Sequence, residues 1–227
     1  MTPEAAVDAL RAHADADRAA QMRAYHKIDR PYLGLSNEIT GALATDWRKG
    51  CNPDDLITLA KGLWDSDIFE ARVAAGKLFI QARMRPADQA AWDCITGWLS
   101  EFDSWAIADA VAQGGQKRLM QDPTRLDEVE TWVGSDHLWT RRAALVFCLT
   151  FTKSRHPNPV EQDARHRILS WCATLAADRE WFIQKAIAWW LRDLSKRDPA
   201  TVKAWLETHG AALKPFARKE AARRLPD

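Results

Sequence analysis

No motif in this sequence announces a metal, a nucleotide or a membrane. The four cysteines, at positions 51, 94, 148 and 172, include no C-x-x-C pair and have no histidine at ligand spacing. That argues against a zinc site or a disulfide framework and for a reducing, cytoplasmic setting. No apolar run approaches the roughly 20 residues that a bilayer span needs, and the opening MTPEAAVDALRAHADADR is acidic and amphipathic rather than signal-like. Phosphate-cradling G-x-x-x-x-G-K-S/T, dinucleotide-binding G-x-G-x-x-G and the G-x-S-x-G nucleophile elbow are all missing, and the six histidines form no triad or metal spacing. Neither a metal nor a cofactor is therefore expected. Period-two alternation long enough for a strand is lacking too, which leaves helices.

A strong net charge is also absent: the balance is +1 over 227 residues. The charge is unevenly spread, however. From Lys185 onward ten lysines and arginines face five acids, so the C-terminal fifth is basic and the rest mildly acidic. Such asymmetry permits a polyanionic partner on one face.

What the sequence does have is tryptophan, twelve in all, and five of them keep time. Trp64, Trp98, Trp132, Trp171 and Trp205 follow one another at intervals of 34, 34, 39 and 34 residues. Each closes or nearly closes a short amphipathic segment. A polar link follows, then a longer helical segment opening on an aromatic: Phe69-x-x-Arg72, Trp105, Trp139-x-x-Arg142, Phe182-x-x-Lys185 and Phe216-x-x-Lys219. Pro53, Pro86, Pro123, Pro157, Pro159 and Pro199 stand at or before the first helix of a unit, where proline is tolerated. Asp67, Asp103, Asp136, Asp178 and Ser195 are placed for capping or termination. Repeats of this period are those of helical solenoids. The expected fold is all-α and HEAT-like, a single domain spanning 1–227. Helices near 3–13, 16–27 and 36–47 should precede five helix pairs over about 53–225.

Helical spacing singles out a few residues. In the stretch Asp178–Lys196, Ile183, Ile187, Trp190 and Leu194 share a core-facing side. Trp189 lies off that stripe with Phe182, Lys185, Arg192 and Lys196; it either covers their stems or offers a ring to a sugar, base or cation. Trp105 and Asp109 are i and i+4 on one helix, an acid where the parallel units carry Arg72, Arg142, Lys185 or Lys219. Arg142 invites two readings: a tie between repeats, or a phosphate contact.

Two segments, Asp136-His-Leu-Trp-Thr-Arg-Arg-Ala-Ala-Leu-Val-Phe147 and Glu180-Trp-Phe-Ile-Gln-Lys-Ala-Ile-Ala-Trp-Trp-Leu-Arg192, resemble the most distinctive stretches of the AlkD-like DNA alkylation repair glycosylases. Tyr25-x(7)-Leu33-Gly34, Leu63-Trp64 and Arg218-Lys-Glu-Ala221 are similar to further landmarks of that family, in one register from about residue 20 to the C-terminus. The resemblance implies a solenoid whose concave basic face holds duplex DNA containing alkylated bases. It implies hydrolysis of the N-glycosidic bond of purines alkylated at N3 or N7, by a protein expected to act as a monomer. By motif, the catalytic carboxylate falls on Asp109, the cleft tryptophans on Trp105 and Trp189, and the phosphate-binding arginine on Arg142, with Tyr25 near the DNA. Lys185, Arg192, Lys196 and Lys219 complete the expected DNA-binding set. The competing class is a non-catalytic solenoid that binds DNA structure or a protein partner. The Trp105–Asp109 pair separates the two, because a scaffold has no need for an acid on a face meant for phosphate.

Overall fold

The computed structural model describes residues 1–225, and among them there are thirteen α-helices, four short 3-10 segments and no strand. The protein is all-α, built of HEAT-like helix pairs. Its chain forms two compact units, Met1–Arg118 and Leu119–Asp227.

Three helices open the first unit: α1 (Pro3–Arg11), α2 (Ala16–His26) and α3 (Asn37–Gly50). Thr2, Asp15 and Ser36 precede them, and the side chain of each accepts a hydrogen bond from an orphan amide of the first turn. Five pairs follow. The first helices are α4 (Pro53–Asp65), α6 (Asp88–Gly97), α8 (Leu126–Trp132), α10 (Pro159–Leu175) and α12 (Pro199–His209). Their partners are α5 (Phe69–Leu78), α7 (Trp105–Gln121), α9 (Leu138–Val146), α11 (Trp181–Ser195) and α13 (Pro215–Ala222). Pro53, Pro159 and Pro199 take the first helical position, and Asn52, Asn158 and Asp198 before them cap α4, α10 and α12.

Asp67 follows α4 in the left-handed region at φ 57°, as a helix terminator does, and the aspartates at three joints also hold guanidinium groups. The residues preceding α5, α9 and α11 are Ile68, His137 and Glu180, and none makes a side-chain cap bond. Asp67 pairs with Arg72 at 3.1 Å and Arg30 at 3.5 Å, Asp103 with Arg30 at 2.5 Å, and Asp178 with Arg141 at 3.0 Å. Asp178 does both, since its second oxygen still accepts from the Glu180 amide at 2.8 Å.

All five periodic tryptophans are buried. In the first unit the rings of Trp64 and Trp98 stack at 4.2 Å and 4°, and Trp64 Nε1 donates to Glu101. In the second, Trp171 Nε1 donates to Glu130 and Trp205 Nε1 to the Leu169 carbonyl, each reaching back one repeat. Trp64, Trp171 and Trp205 thus supply both apolar area and a directional bond to a neighbouring repeat. Truncating one to alanine costs about 3–5 kcal/mol in a packed core. Within α11, Ile183, Ile187, Trp190 and Leu194 are fully buried, as the stripe predicts, whereas Trp189 is half-buried.

Candidate functional site

The first unit contains a cavity of about 290 Å³. Two helical rows form its floor: Phe69, Val73 and Lys77 on α5, and Trp105, Asp109 and Gln113 on α7. Both rows run at i, i+4, i+8, so each presents one side chain per turn to the same space. Gly76 explains how close the two helices come, since a Cβ there would fall 2.7 Å from Val111 N. Helix α7 starts where it does because Ser104 Oγ accepts from the amides of Ala106 and Ile107. That cap puts Trp105 at the first position, 37% exposed, and Asp109 one turn in and half-buried.

Helices α2 and α3 close the other sides, and His26 is the central ring. Its centroid lies 5.8 Å from Trp105, 4.5 Å from Phe69, 6.2 Å from Tyr32 and 5.0 Å from Tyr25. Burial pushes the His26 imidazole pKa below its ordinary value, favouring the neutral ring. Tyr25 is exposed next to it. The segment that carries α2 into α3 is pinned by Glu70, a buried carboxylate accepting from the amides of Leu33, Gly34 and Leu35 at 3.0, 2.7 and 3.2 Å. Gly34 sits at φ 84°, in the region that favours glycine. Lys77 is the cation of the cavity. Its Nζ makes a long hydrogen bond, 3.5 Å, to the Asn37 carbonyl, and burial followed by the nearby Arg48 charge lowers its pKa.

The other expected site residues lie in the second unit, and their surroundings differ. Arg142 is only 2% exposed; its Nη1 donates to the Phe182 carbonyl at 3.1 Å and its guanidinium lies 5.8 Å from the Phe182 ring centroid. This bond links α9 to α11 of the next repeat. Arg192 pairs with Glu220 of α13. Lys196 and Lys153 share the buried Asp193 carboxylate at 2.6 and 2.7 Å. Burial alone would raise the Asp193 pKa, but the two lysine hydrogen bonds outweigh it and hold the group below its usual range. Lys185 is exposed on α11 with its Nζ 4.6 Å from the Trp181 ring centroid, and Lys219 is exposed on α13. Trp181 itself is 47% exposed and stacks at 5.9 Å on Phe216.

A family model described as DNA alkylation repair enzyme matches residues 6–225. The chain belongs to this family. Among solved structures it is similar to a predicted DNA alkylation repair enzyme from Enterococcus faecalis, with a TM-score of 0.77 at 22% identity over 95% of this chain and 98% of that one. It is also similar to AlkD2 from Streptococcus mutans, with a TM-score of 0.63 at 20% identity over 85% and 92% of the two chains. A third likeness is to smu.31 from Streptococcus mutans UA159, with a TM-score of 0.61 at 20% identity over 83% and 92%. No curated protein sequence matches the chain.

For this DNA alkylation repair family member, the structure gathers Trp105 and Asp109 in one cavity with Tyr25 at its edge. It also adds residues that sequence spacing passed over. Sequence spacing tests a histidine such as His26 as a metal ligand or triad member, and neither pattern describes a ring among aromatics. In the sequence Phe69 stands out with Arg72, three residues on, whereas the row that lines the cavity continues to Val73 and Lys77. The signal was present, because Phe69-x-x-x-Val73-x-x-x-Lys77 parallels Trp105-x-x-x-Asp109-x-x-x-Gln113 in the next pair. Among the described residues no group of three histidines, cysteines or acids could hold a metal ion, and no helix is long and apolar enough to cross a membrane.

Proposed function

We propose that the protein is a monofunctional DNA glycosylase that releases purines alkylated at N3 or N7 from duplex DNA. The observation that carries this reading is Asp109, a half-buried acid one turn below an exposed tryptophan, in a cavity otherwise lined largely by aromatic and aliphatic side chains. Alkylation at N3 or N7 makes the purine cationic, so the leaving base needs no strong general acid. Positive charge then develops on the deoxyribose, and a carboxylate facing it in a water-poor site stabilises that charge or orients the attacking water. The π face of Trp105 favours the same cationic sugar. Family resemblance adds Trp189 as a second ring and leaves the base stacked rather than flipped. Tyr25, Lys185 and Lys219, all exposed, contact the DNA surface. Arg192 and Lys196 add positive charge there while their carboxylate partners hold them. Arg142 is buried, so in this proposal it acts by holding α11 in place rather than by touching a phosphate.

The test is to incubate the protein with methylated duplex DNA and identify the released bases, with Asp109→Asn as the control. Release of 3-methyladenine and 7-methylguanine by the wild type should fall on the order of 10²-fold in the variant, the usual scale for one lost electrostatic stabiliser. An unchanged rate of release in Asp109→Asn would sink the assignment.

A further inference from the structure

We infer that Lys77 is a phosphate-binding residue, pairing with a backbone phosphate beside the nucleotide whose sugar Asp109 faces. The inference rests on the glycosylase reading of the cavity and names a contact within it. Lys77 and Asp109 stand at one level of two packed helices. Gly76, just before Lys77, lets α5 meet α7 at Ala110 and Val111, just after Asp109; a Cβ on Gly76 would fall 2.8 Å from Ala110 C and 2.7 Å from Val111 N. Both side chains line the same 290 Å³ cavity. Lys77 nevertheless has no ion-pair partner among the described residues, and its one hydrogen bond, to the Asn37 carbonyl, is 3.5 Å long. Glu70, the other acid on the cavity wall, is committed to the amides of Leu33, Gly34 and Leu35.

A second cation lies against the first. Arg48 Nη1 donates to the carbonyl of Lys77 itself at 3.2 Å, and its Nη2 donates to Thr45 Oγ1 at 3.0 Å. Both acceptors are neutral, so neither charge is cancelled. Burial and the Arg48 charge lower the Lys77 pKa, which means that its ammonium form gains from an incoming anion. Duplex DNA brings one on each side of every sugar. The carboxylate that favours a cationic sugar repels those phosphates; a lysine at the same level of the facing helix offsets the repulsion and leaves Asp109 ionised. Lysine suits the task, because a point charge on a flexible stem reaches one phosphate oxygen without needing the fixed fork of arginine. Gly41 leaves room for it, as a Cβ there would come within 3.1 Å of Nζ. The contact is ionic, and the amine takes no part in bond breaking.

The experiment uses the full chain and a duplex carrying a tetrahydrofuran abasic analogue, which binds without turning over. In Lys77→Gln the slope of log affinity against log salt should become shallower by about one unit, while Lys77→Arg keeps the wild-type slope. Affinity at moderate salt should fall roughly tenfold in Lys77→Gln, the scale of one charge-assisted hydrogen bond. With methylated duplex as substrate the same variant should raise KM and leave kcat near wild type. Melting curves check folding. A second measurement needs no variant: acetic anhydride labelling of the wild type, mapped by mass spectrometry, should find Lys77 protected by saturating duplex. Equal labelling with and without DNA, or an unchanged salt slope in folded Lys77→Gln, would overturn the inference. So would a slope loss as large in Lys77→Arg, which would mark a packing role. Base release by a protein whose Lys77 stays unprotected would defeat this inference alone. Protection and slope loss without base release would defeat the glycosylase reading alone.

Discussion

Arg142 donates from Nη1 to the carbonyl oxygen of Phe182, 40 residues further along, at 3.1 Å. The bond ties α9 to the first turn of α11 and takes a conspicuous cation of the sequence out of solvent. Removing it leaves the part-buried Phe182 carbonyl without that donor and a guanidinium-sized void. Arg142→Ala should therefore lower stability by about 2–4 kcal/mol. The salt dependence of DNA binding by the folded variant should stay unchanged, because a buried arginine releases no counterion. A flattened salt slope would return Arg142 to the phosphate.

Gly34 should tolerate no side chain. A Cβ there would fall 2.1 Å from Asp15 O and 2.7 Å from Ala19 N, and its φ of 84° is unfavourable for alanine in any case. Gly34→Ala is expected to cost roughly 2–4 kcal/mol. It should also loosen the α2–α3 segment, seen as faster amide exchange at Leu33 and Leu35, whose amides Glu70 holds. A variant with wild-type melting would contradict the packing described.

Trp105 separates function from stability. Its ring is 37% exposed and lies tilted at 40° against His26, so Trp105→Ala should change stability by no more than about 1–2 kcal/mol. Release of alkylated bases should nevertheless fall by about tenfold, as one π face is lost from the developing cation. Equal losses in melting and in rate would mark the residue as core.

Asp193 gives the protein an acid-sensitive anchor. Its pKa is lowered in the folded state, so its contribution is present above the ordinary carboxylate pKa of about 3.9 and is lost as pH falls through the lower folded value. Asp193→Asn should be less stable than wild type by about 1 kcal/mol near neutrality, a modest figure because both lysine partners are largely exposed. Thermal melts from pH 7 downward should show the gap closing below about pH 4. A gap independent of pH would mean the ion pairs contribute nothing.

Much of the fold is legible along the chain because its causes are local or periodic. The tryptophans at intervals of 34 or 39 residues, the Pro–helix starts and the Ile183–Ile187–Trp190–Leu194 stripe each fix an element by spacing alone. The candidate site was half legible: Trp105 and Asp109 share one helix, so their register follows from the sequence. Lys77 and His26 come from other helices, and only packing brings them to the same cavity.

The sequence by itself determined that this chain is helical, that its helices come in five pairs after three leading ones, and that one acid stands beside a tryptophan on the second helix of a pair. Tertiary structure decided which charges remain available. Arg142, Arg192 and Lys196 read alike as basic residues near an aromatic, yet one is buried against a carbonyl and two are held by carboxylates. Lys77, unremarkable in sequence, keeps its amine at a cavity wall, bonded to the Asn37 carbonyl and with no ion-pair partner among the described residues. The physical reason is range: helix propensity and periodicity act over a few residues, whereas the partner of Arg142 lies 40 residues away. Whether a cation meets an acid, a carbonyl or a substrate is settled only when the helices pack.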